Sequence, residues 1–219
     1  MVQGKDFYIR CSMVGTIMVD PKGELPLSKG TITYLENWLY EEMTGEQTFQ
    51  GNAYTEKGWE VEDAAIDDYA KLTGYKGLVK NEEFYYNKYA HGTPDVLVGD
   101  DLVVDIKSPW SLDTFNKYAT HRPTEERPCP NASYFWQLQA YMLLTGRQQA
   151  ELAYVLKNTP QHLLDRMNQP FIDYEEVIPL EKRVKIFGVK RSNSHISRIE
   201  ERVELCREYL DSVIIPNNT

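Results

Sequence analysis

The sequence predicts one mixed α/β (α+β) domain, and three features support this fold class. Apolar residues at helical spacing, with capping residues and glycine stops, recur before residue 75 and after residue 130. A β-rich region lies between them, from about residue 78 to 107. The chain has 219 residues, enough for one sizeable core, and no abrupt change of composition divides it. We therefore expect a single domain over residues 1–219.

Two helices are expected before the β-rich region. "LSKGTITYLENWLYEEMTG" offers Ser28 or Thr31 as a cap and Gly45 as a stop. "YTEKGWEVEDAAIDDYAKLTG" predicts a second helix over about residues 55–72, which Gly74 ends. The apolar residues of its expected inner face are Val61, Ala64, Ala65, Ile66 and Tyr69.

The second half of the chain begins with an irregular segment. "HRPTEERPCPN" lacks periodicity and predicts a loop over residues 122–131. "ASYFWQLQAYMLLTG" predicts a helix that ends at Gly146, and "AELAYVLKN" has the composition of a buried strand. Near the end, a long amphipathic helix is predicted to pack on the domain, with a subunit contact as the alternative. Its apolar residues are Ile196, Ile199, Val203, Cys206, Leu210 and Val213.

The composition narrows the functional classes. A net charge of -9 argues against a general nucleic-acid binder, so any cations that contact DNA must be gathered locally. Three widely spaced cysteines and four scattered histidines argue against a disulfide framework and a zinc site. No apolar run reaches the length of a membrane span and the N-terminus lacks a signal-peptide core, so we expect a cytoplasmic protein.

The segment "TPDVLVGDDLVVDIKSP" places charged residues inside a predicted β-hairpin. Residues 99–101 are turn formers between two β-rich runs. With this three-residue loop, the facing pairs are Val98 with Leu102, Val96 with Val104, and Asp95 with Asp105. A two-residue loop would place Asp95 and Asp105 on opposite faces, so their pairing depends on the longer turn.

The two faces of this hairpin differ in chemistry. One face is apolar and consists of Val96, Val98, Leu102, Val104 and Ile106, whereas the other carries Asp95, Asp105 and Lys107. Opposed residues have Cβ atoms about 4.5–5.5 Å apart, so the two carboxylates repel and require a cation between them. Oxygen ligands without nearby histidine or cysteine favour Mg²⁺ or Mn²⁺. Together with a lysine that orients water, such an ion points to phosphodiester hydrolysis.

The D-x-K pattern alone carries little information. It also occurs at Asp20-Pro21-Lys22, where we expect a surface turn. The hairpin motif is more specific because its charges lie within apolar strands. The alternative is that Asp95 begins a strand, Lys107 extends to solvent at a strand end, and only Asp105 is unusual.

These residues resemble the motifs of the PD-(D/E)xK nuclease superfamily, and within it the lambda-exonuclease (YqaJ-type viral recombinase) family. The resemblance extends from "IRCS" to "VLKN". Its motif residues here are Thr93-Pro94-Asp95, Asp105-Ile106-Lys107 with Pro109, Gly58 with Glu62 and Ala65, and Gln137 with Tyr141. It implies a restriction-endonuclease-like core, a mixed central β-sheet flanked by helices.

The resemblance also implies roles for these residues. Glu62, Asp95, Asp105 and the Ile106 carbonyl would hold Mg²⁺, with Mn²⁺ as a substitute and two ions per site. Lys107 would activate or orient the water, and Gln137, supported by Tyr141, would fix the geometry; the alternative is that Gln137 and Tyr141 merely bridge helix and sheet. Glu56 and Glu60 are the alternatives to Glu62 on the same helix, and a solvated helix face is the simpler interpretation of any of the three. Thr93, Ser12 and Arg10 would hold a 5′ phosphate, although a capping serine and a surface arginine fit equally well.

The function that this resemblance implies is 5′-to-3′ exonuclease activity on linear double-stranded DNA. The enzyme would release 5′ mononucleotides and leave a 3′ overhang for a single-strand annealing recombinase. The family also implies a ring-shaped homotrimer around DNA, encoded by a phage or prophage and acting in the bacterial cytoplasm. Two alternatives remain: a structure-specific or restriction-type endonuclease, and a non-catalytic DNA-end-binding module.

Overall fold

The structure is a computed structural model that describes residues 2–218. The helices are α1 (Val14–Ile17), α2 (Lys29–Thr44), α3 (Ala53–Thr73), α4 (Leu112–Ala119), α5 (Ala132–Thr145), α6 (Gln161–Arg166), α7 (Tyr174–Val177), α8 (Leu180–Arg183), α9 (Asn193–Tyr209) and α10 (Ile215–Asn218). The strands are β1 (Ile9–Arg10), β2 (Tyr85–Tyr86), β3 (Ala90–Gly92), β4 (Val96–Val98), β5 (Leu102–Lys107), β6 (Gln149–Val155) and β7 (Val184–Lys190). Within the described residues, no helix combines the length and the apolar character needed to cross a bilayer.

The predicted helix boundaries agree with the structure where a capping residue defines them. Ser28 precedes α2 and its Oγ accepts a hydrogen bond from the Thr31 backbone at 3.1 Å. Gly45 and Gly74 end α2 and α3 with φ of 73° and 78°, a conformation that costs glycine little. Helix α3 begins two residues earlier than predicted because Asn52 caps its first turn.

The strands form two sheets. The smaller sheet has the order β1-β3-β2, and the larger mixed sheet has the order β4-β5-β6-β7. In the larger sheet β4 pairs antiparallel with β5, β5 pairs parallel with β6, and β7 pairs antiparallel with β6. Parallel pairing of β5 with β6 requires a crossover, which α4 and α5 supply.

Helices cover both faces of the larger sheet. Ala65, Ile66 and Tyr69 of α3 pack with Val96 and Val104, so the predicted apolar face of the hairpin is confirmed as a core face. On the opposite face, α5 packs in a second cluster that includes Val103, Leu138 and Leu152. The hairpin residues that point towards α5 are those of the predicted charged face.

Two predicted apolar helix faces are only partly confirmed. In α3, Ala64 is exposed and Val61 is only half-buried. The buried face of the helix instead includes Lys57 and Asp68, two charged residues that the apolar pattern does not mark. At the end of the chain, α9 continues into a π-helical turn over Leu210–Ile214. The wider turn buries Ile214 and leaves Val213 half-buried.

Candidate active site

A cleft of 570 Å³ opens between α3, the end of strand β5 and helix α5. Asp95, Ile106, Lys107 and Gln137 line it, and Glu62 lines it from the side of α3. The cleft therefore contains most of the charged and polar residues that the sequence analysis selected. Its remaining wall is rich in aromatic side chains, which are Tyr54, Trp59, Trp110, Tyr118, Tyr134 and Tyr154.

The hairpin register places the two aspartates opposite each other. Val96 pairs with Val104 and Val98 pairs with Leu102, which confirms the predicted three-residue loop. Asp105 is fully buried, and the Asp95 Oδ2 accepts a hydrogen bond from the Ile106 backbone N–H at 2.7 Å. Asp95 thus lines the cleft, and the buried Asp105 lies beneath its wall next to the lining residues Ile106 and Lys107.

Burial dominates the electrostatics of this pair. Burial, and next the charge of Asp105, raise the pKa of Asp95 to about 7. Burial also raises the pKa of Asp105, an effect that Lys107 partly opposes. Burial alone would lower the pKa of Lys107, but the charges of Asp105 and Asp95 outweigh it and raise that pKa above its usual value. The surroundings therefore favour the charged form of Lys107 and the neutral form of each carboxyl.

Lys107 lies between the aspartates and the open cleft. Its Nζ is 2.7 Å from Asp105 Oδ2 and 5.1 Å from the centre of the Tyr134 ring. A quarter of its side chain remains exposed. The ammonium is therefore held in place by an ion pair and a cation–π contact while it still faces solvent in the cleft.

Gln137 connects the aspartates to the helical layer. Its Nε2 donates to Asp105 Oδ1 and to the Tyr141 hydroxyl, each at 3.0 Å. Tyr141 in turn donates to the Thr93 carbonyl at 3.2 Å. The neighbouring amide of Gln139 bonds the backbone of Lys190 and Ser192 instead, so it takes no part in this chain of contacts.

Glu62 is the acid of α3 that faces the cleft. Its Oε2 accepts a hydrogen bond from Lys80 Nζ at 2.6 Å, and its charge contributes to the raised pKa of both aspartates. The two alternative acids pair elsewhere: Glu56 binds Arg166 at 2.8 Å, and Glu60 lies 3.1 Å from His162.

The donor set fits a hard divalent cation in part. Asp105 Oδ2 is buried and accepts no hydrogen bond, although the Lys107 ammonium is its ion-pair partner. All of the candidate ligands are oxygens, which suits Mg²⁺ or Mn²⁺. Over residues 2–218, however, no three acidic, histidine or cysteine side chains are grouped closely enough to hold a metal. To complete the set of metal ligands, the Glu62 carboxylate would have to release Lys80 and bind the cation instead.

The predicted phosphate-binding residues are only partly together. Ser12 lines the cleft, whereas Arg10 is an exposed residue of β1 in register with His91. Thr93 is exposed and follows β3, the parallel neighbour of β1. Ser12 and Thr93 therefore both lie just beyond the ends of paired strands. Arg10 lies within β1 and does not line the cleft.

Two features of the cleft were not found from sequence. Tyr134, which contacts Lys107, lies three residues before Gln137 on the same face of α5, and this spacing could have identified it. Lys57 is fully buried beneath the cleft wall on α3, and no sequence signal distinguishes it from a solvated lysine.

The chain is similar to one protein family and to solved exonuclease structures. The model of the YqaJ-like viral recombinase domain family matches residues 22–148, just over half of the chain. A phage-related exonuclease from Haemophilus somnus 129PT is 28% identical, with 97% of each chain covered and a TM-score of 0.84. No significant match was found among curated proteins.

A second solved structure extends the likeness in fold. The alkaline exonuclease LHK-Exo from Laribacter hongkongensis is 22% identical and has a TM-score of 0.67, with 94% of this chain and 88% of that chain covered. Its complex with dAMP gives a TM-score of 0.66 at 20% identity. The predicted PD-(D/E)xK core, a mixed sheet flanked by helices, is thereby confirmed.

Proposed function

The chain belongs to the YqaJ-like viral recombinase family, and from this premise we propose that it is a phage-type exonuclease acting on linear double-stranded DNA. It would degrade one strand from the 5′ end, release 5′ mononucleotides and leave a 3′ single-stranded overhang. The likeness to a phage-related exonuclease over 97% of both chains supports the nuclease assignment. The polarity is our inference from the family resemblance.

The observation that carries this proposal is the buried Asp105 opposite Asp95, with Lys107 Nζ 2.7 Å from the Asp105 carboxylate. Two adjacent carboxyls in a buried site destabilise a fold unless a cation compensates them. Lys107 supplies only one positive charge. Such a cluster at the base of an open cleft is typical of a catalytic site.

We assign the metal ligands to Asp95, Asp105, the Ile106 carbonyl and Glu62. Mg²⁺ is the proposed ion, Mn²⁺ its substitute, and two ions per site suit a reaction with an attacking and a leaving oxygen. When bound, the ions would polarise the phosphoryl oxygen and supply hydroxide near neutral pH. Asp95 and Asp105 would both be ionised in that state, since a nearby cation lowers a carboxyl pKa.

The remaining residues orient the reacting groups. Lys107 presents a fixed ammonium to the cleft, where it would orient the attacking water and offset charge that develops on the phosphate. Gln137 holds Asp105 Oδ1 and is itself held by Tyr141, so the carboxylate cannot rotate freely. Ser12 and Thr93 would bind a 5′ phosphate through their hydroxyls, and Arg10 would attract it from a distance.

Linear and closed circular DNA test this function. A 5′-phosphorylated linear duplex incubated with Mg²⁺ should yield 5′ mononucleotides and a shortened strand, while EDTA should stop the reaction. Covalently closed circular DNA should remain intact. Nicking of the circle would identify the endonuclease alternative, and metal-independent end binding without product would identify the non-catalytic module.

The assembly and its surroundings are also part of the proposal. We propose a single exonuclease domain over residues 1–219 that forms a homotrimeric ring around duplex DNA. The 3′ overhang would pass to a single-strand annealing recombinase. The site of action would be the cytoplasm of a bacterial host that carries the phage or prophage.

A further inference from the structure

Lys57 is a buried cation without an acidic partner. Its side chain is fully buried, and its Nζ donates to the carbonyls of Pro109 at 2.5 Å, Trp110 at 3.1 Å and Lys157 at 2.9 Å. Among residues 2–218, no carboxylate lies within ion-pair distance of this Nζ. Fully buried lysines are rare and are usually paired with an acid. The arrangement therefore calls for a reason beyond charge neutralisation.

The three acceptor carbonyls lie just after the ends of strands β5 and β6. Pro109 and Trp110 lie two and three residues after Lys107, the last residue of β5, and Lys157 lies two residues after the end of β6. Strands β5 and β6 are parallel and in register, with Lys107 opposite Tyr154. Lys57 thus joins α3 to the segments that follow both central strands, β5 and β6.

The same contact joins the two walls of the cleft. Helix α3 carries Glu62, and the segment from Ile106 to Trp110 forms the facing wall. The apolar anchor of α3, Ala65, Ile66 and Tyr69, lies entirely beyond Glu62. Between Ala53 and Ala64, the buried residues of α3 are Ala53 and Lys57. Ion pairs of Glu56 and Glu60 and the ring contact of Tyr54 with Trp110 also hold this half of the helix, and Lys57 supplies its buried polar contact.

The chemistry of the contact suits a rigid clamp. A protonated lysine has three N–H donors and no acceptor, so three carbonyls satisfy it completely. Burial lowers the pKa of Lys57 to about 7, but a neutral amine would leave one of the carbonyls without a donor. No donor remains for contact with a substrate.

We propose that Lys57 is a positioning residue, which sets the spacing between Glu62 on α3 and the Asp95–Asp105 pair by clamping α3 to the end of β5. The inference rests on the proposed function, because that function places one metal ligand, Glu62, on α3 and two others, Asp95 and Asp105, on the other side of the clamp. Residues that orient metal ligands typically change metal affinity 10–100-fold when removed. Loss of the clamp should therefore weaken metal binding without removing any ligand.

The test compares Mn²⁺ binding by three proteins, measured by electron paramagnetic resonance in the absence of DNA. They are the wild type, Lys57→Met and the control Arg183→Met. Arg183 is also buried, donates to the carbonyls of Ile178 and Leu156 and pairs with Asp68 of α3 at 3.3 Å, so it holds the far half of the same helix, yet it does not line the cleft. We expect Lys57→Met to bind Mn²⁺ about tenfold more weakly. Arg183→Met should lower the melting temperature but bind Mn²⁺ as the wild type does.

Each outcome separates the clamp from the function on which it rests. Wild-type protein that binds no Mn²⁺ would refute the proposed function itself. Wild-type affinity in folded Lys57→Met would overturn the clamp alone. If Lys57→Met does not fold, Lys57→Gln, which retains two donors, replaces it in the same comparison. If neither Lys57 variant folds while Arg183→Met does, Lys57 serves the fold rather than the site, and the proposal is wrong.

Discussion

At the scale of single residues, the hairpin shows how a site can be built at the expense of stability. Asp105 is buried against Asp95, and the fold compensates the pair only partly, through Lys107 and the amide of Gln137. A buried apolar pair at these positions would stabilise the sheet more. We therefore propose that these charges serve to bind a cation rather than to stabilise the fold.

Lys107 gives the first prediction at this scale. Lys107→Ala should reduce turnover at least about 10²-fold, because it removes the fixed charge that, in the proposed mechanism, lies beside the scissile phosphate. Binding to DNA ends should persist, since the other cleft residues are unchanged. Single-turnover cleavage and fluorescence anisotropy with a 5′-phosphorylated duplex measure the two properties separately.

The chain provides a matched control for this variant. Lys22 occupies the same D-x-K pattern in an exposed segment, where Asp20 pairs with Arg202. Lys22→Ala should therefore cleave DNA at the wild-type rate. Equal activity of Lys107→Ala and Lys22→Ala would remove Lys107 from the mechanism.

Asp95 gives a prediction about pH and stability. Its pKa is about 7 in the folded protein and about 3.9 when unfolded, so the folded state binds more protons between these values. The free energy of unfolding must therefore fall as the pH rises from about 4 to about 7, and Asp105 acts in the same direction. Asp95→Asn should be more stable than the wild type at pH 8 by on the order of 2 kcal/mol.

Urea denaturation in EDTA at about pH 4.5 and about pH 8, near the two ends of the titration range, checks this difference. The gain from Asp95→Asn should be small at the acidic pH and larger at the alkaline one, while nuclease activity is lost. A gain that does not depend on pH would show that Asp95 is ordinarily solvated.

Much of the site was accessible from sequence at this scale. Strict alternation along β5 predicts that Asp105 and Lys107 share a face, and the turn residues predict that Asp95 joins them. The ion pair of Glu62 with Lys80 was not predictable, because Lys80 lies at the start of the predicted β-rich region but belongs to no strand in the structure, and its contact with α3 is tertiary. The burial of Lys57 was not predictable either, because its three partners are backbone carbonyls, which carry no sequence signal.

At the scale of secondary structure elements, the hairpin loop controls the site. Deletion of Asp100 would shorten the loop to two residues and shift the register, so that Asp95 and Asp105 point to opposite faces. We expect this variant to lose both Mn²⁺ binding and cleavage. Asp100→Asn keeps the loop length and should retain both, and thermal melting would verify that each variant is folded.

Elements with capped ends were predicted more accurately than elements fixed by tertiary packing. Ser28, Gly45 and Gly74 mark helix ends through local geometry, and the structure confirms them. The short helices α6 to α8 lack such periodicity, and β7 exists as a strand because it pairs with β6. The π-helical turn after α9 depends on packing as well, so a strict helical repeat misplaced Val213.

At the scale of the whole molecule, the question is how a chain of net charge -9 would hold DNA. A closed three-fold ring turns the same surface of three chains towards one ligand, so a modest local cluster of cations is used three times. The sequence could not establish this, because assembly depends on surface shape rather than on composition.

Solution mass tests the proposed ring. Light scattering coupled to size exclusion should give about three times the chain mass of 25.4 kDa. A single-chain mass in fully active protein would contradict the ring and leave the active-site account unaffected.

The most direct test of the central claim is anomalous diffraction from crystals soaked in Mn²⁺. The account predicts a peak about 2.0–2.2 Å from carboxylate oxygens of both Asp95 and Asp105, with Glu62 released from Lys80. The peak should vanish in Asp105→Asn. A well-ordered cleft without a peak at this position, or a peak that persists in Asp105→Asn, would contradict the account.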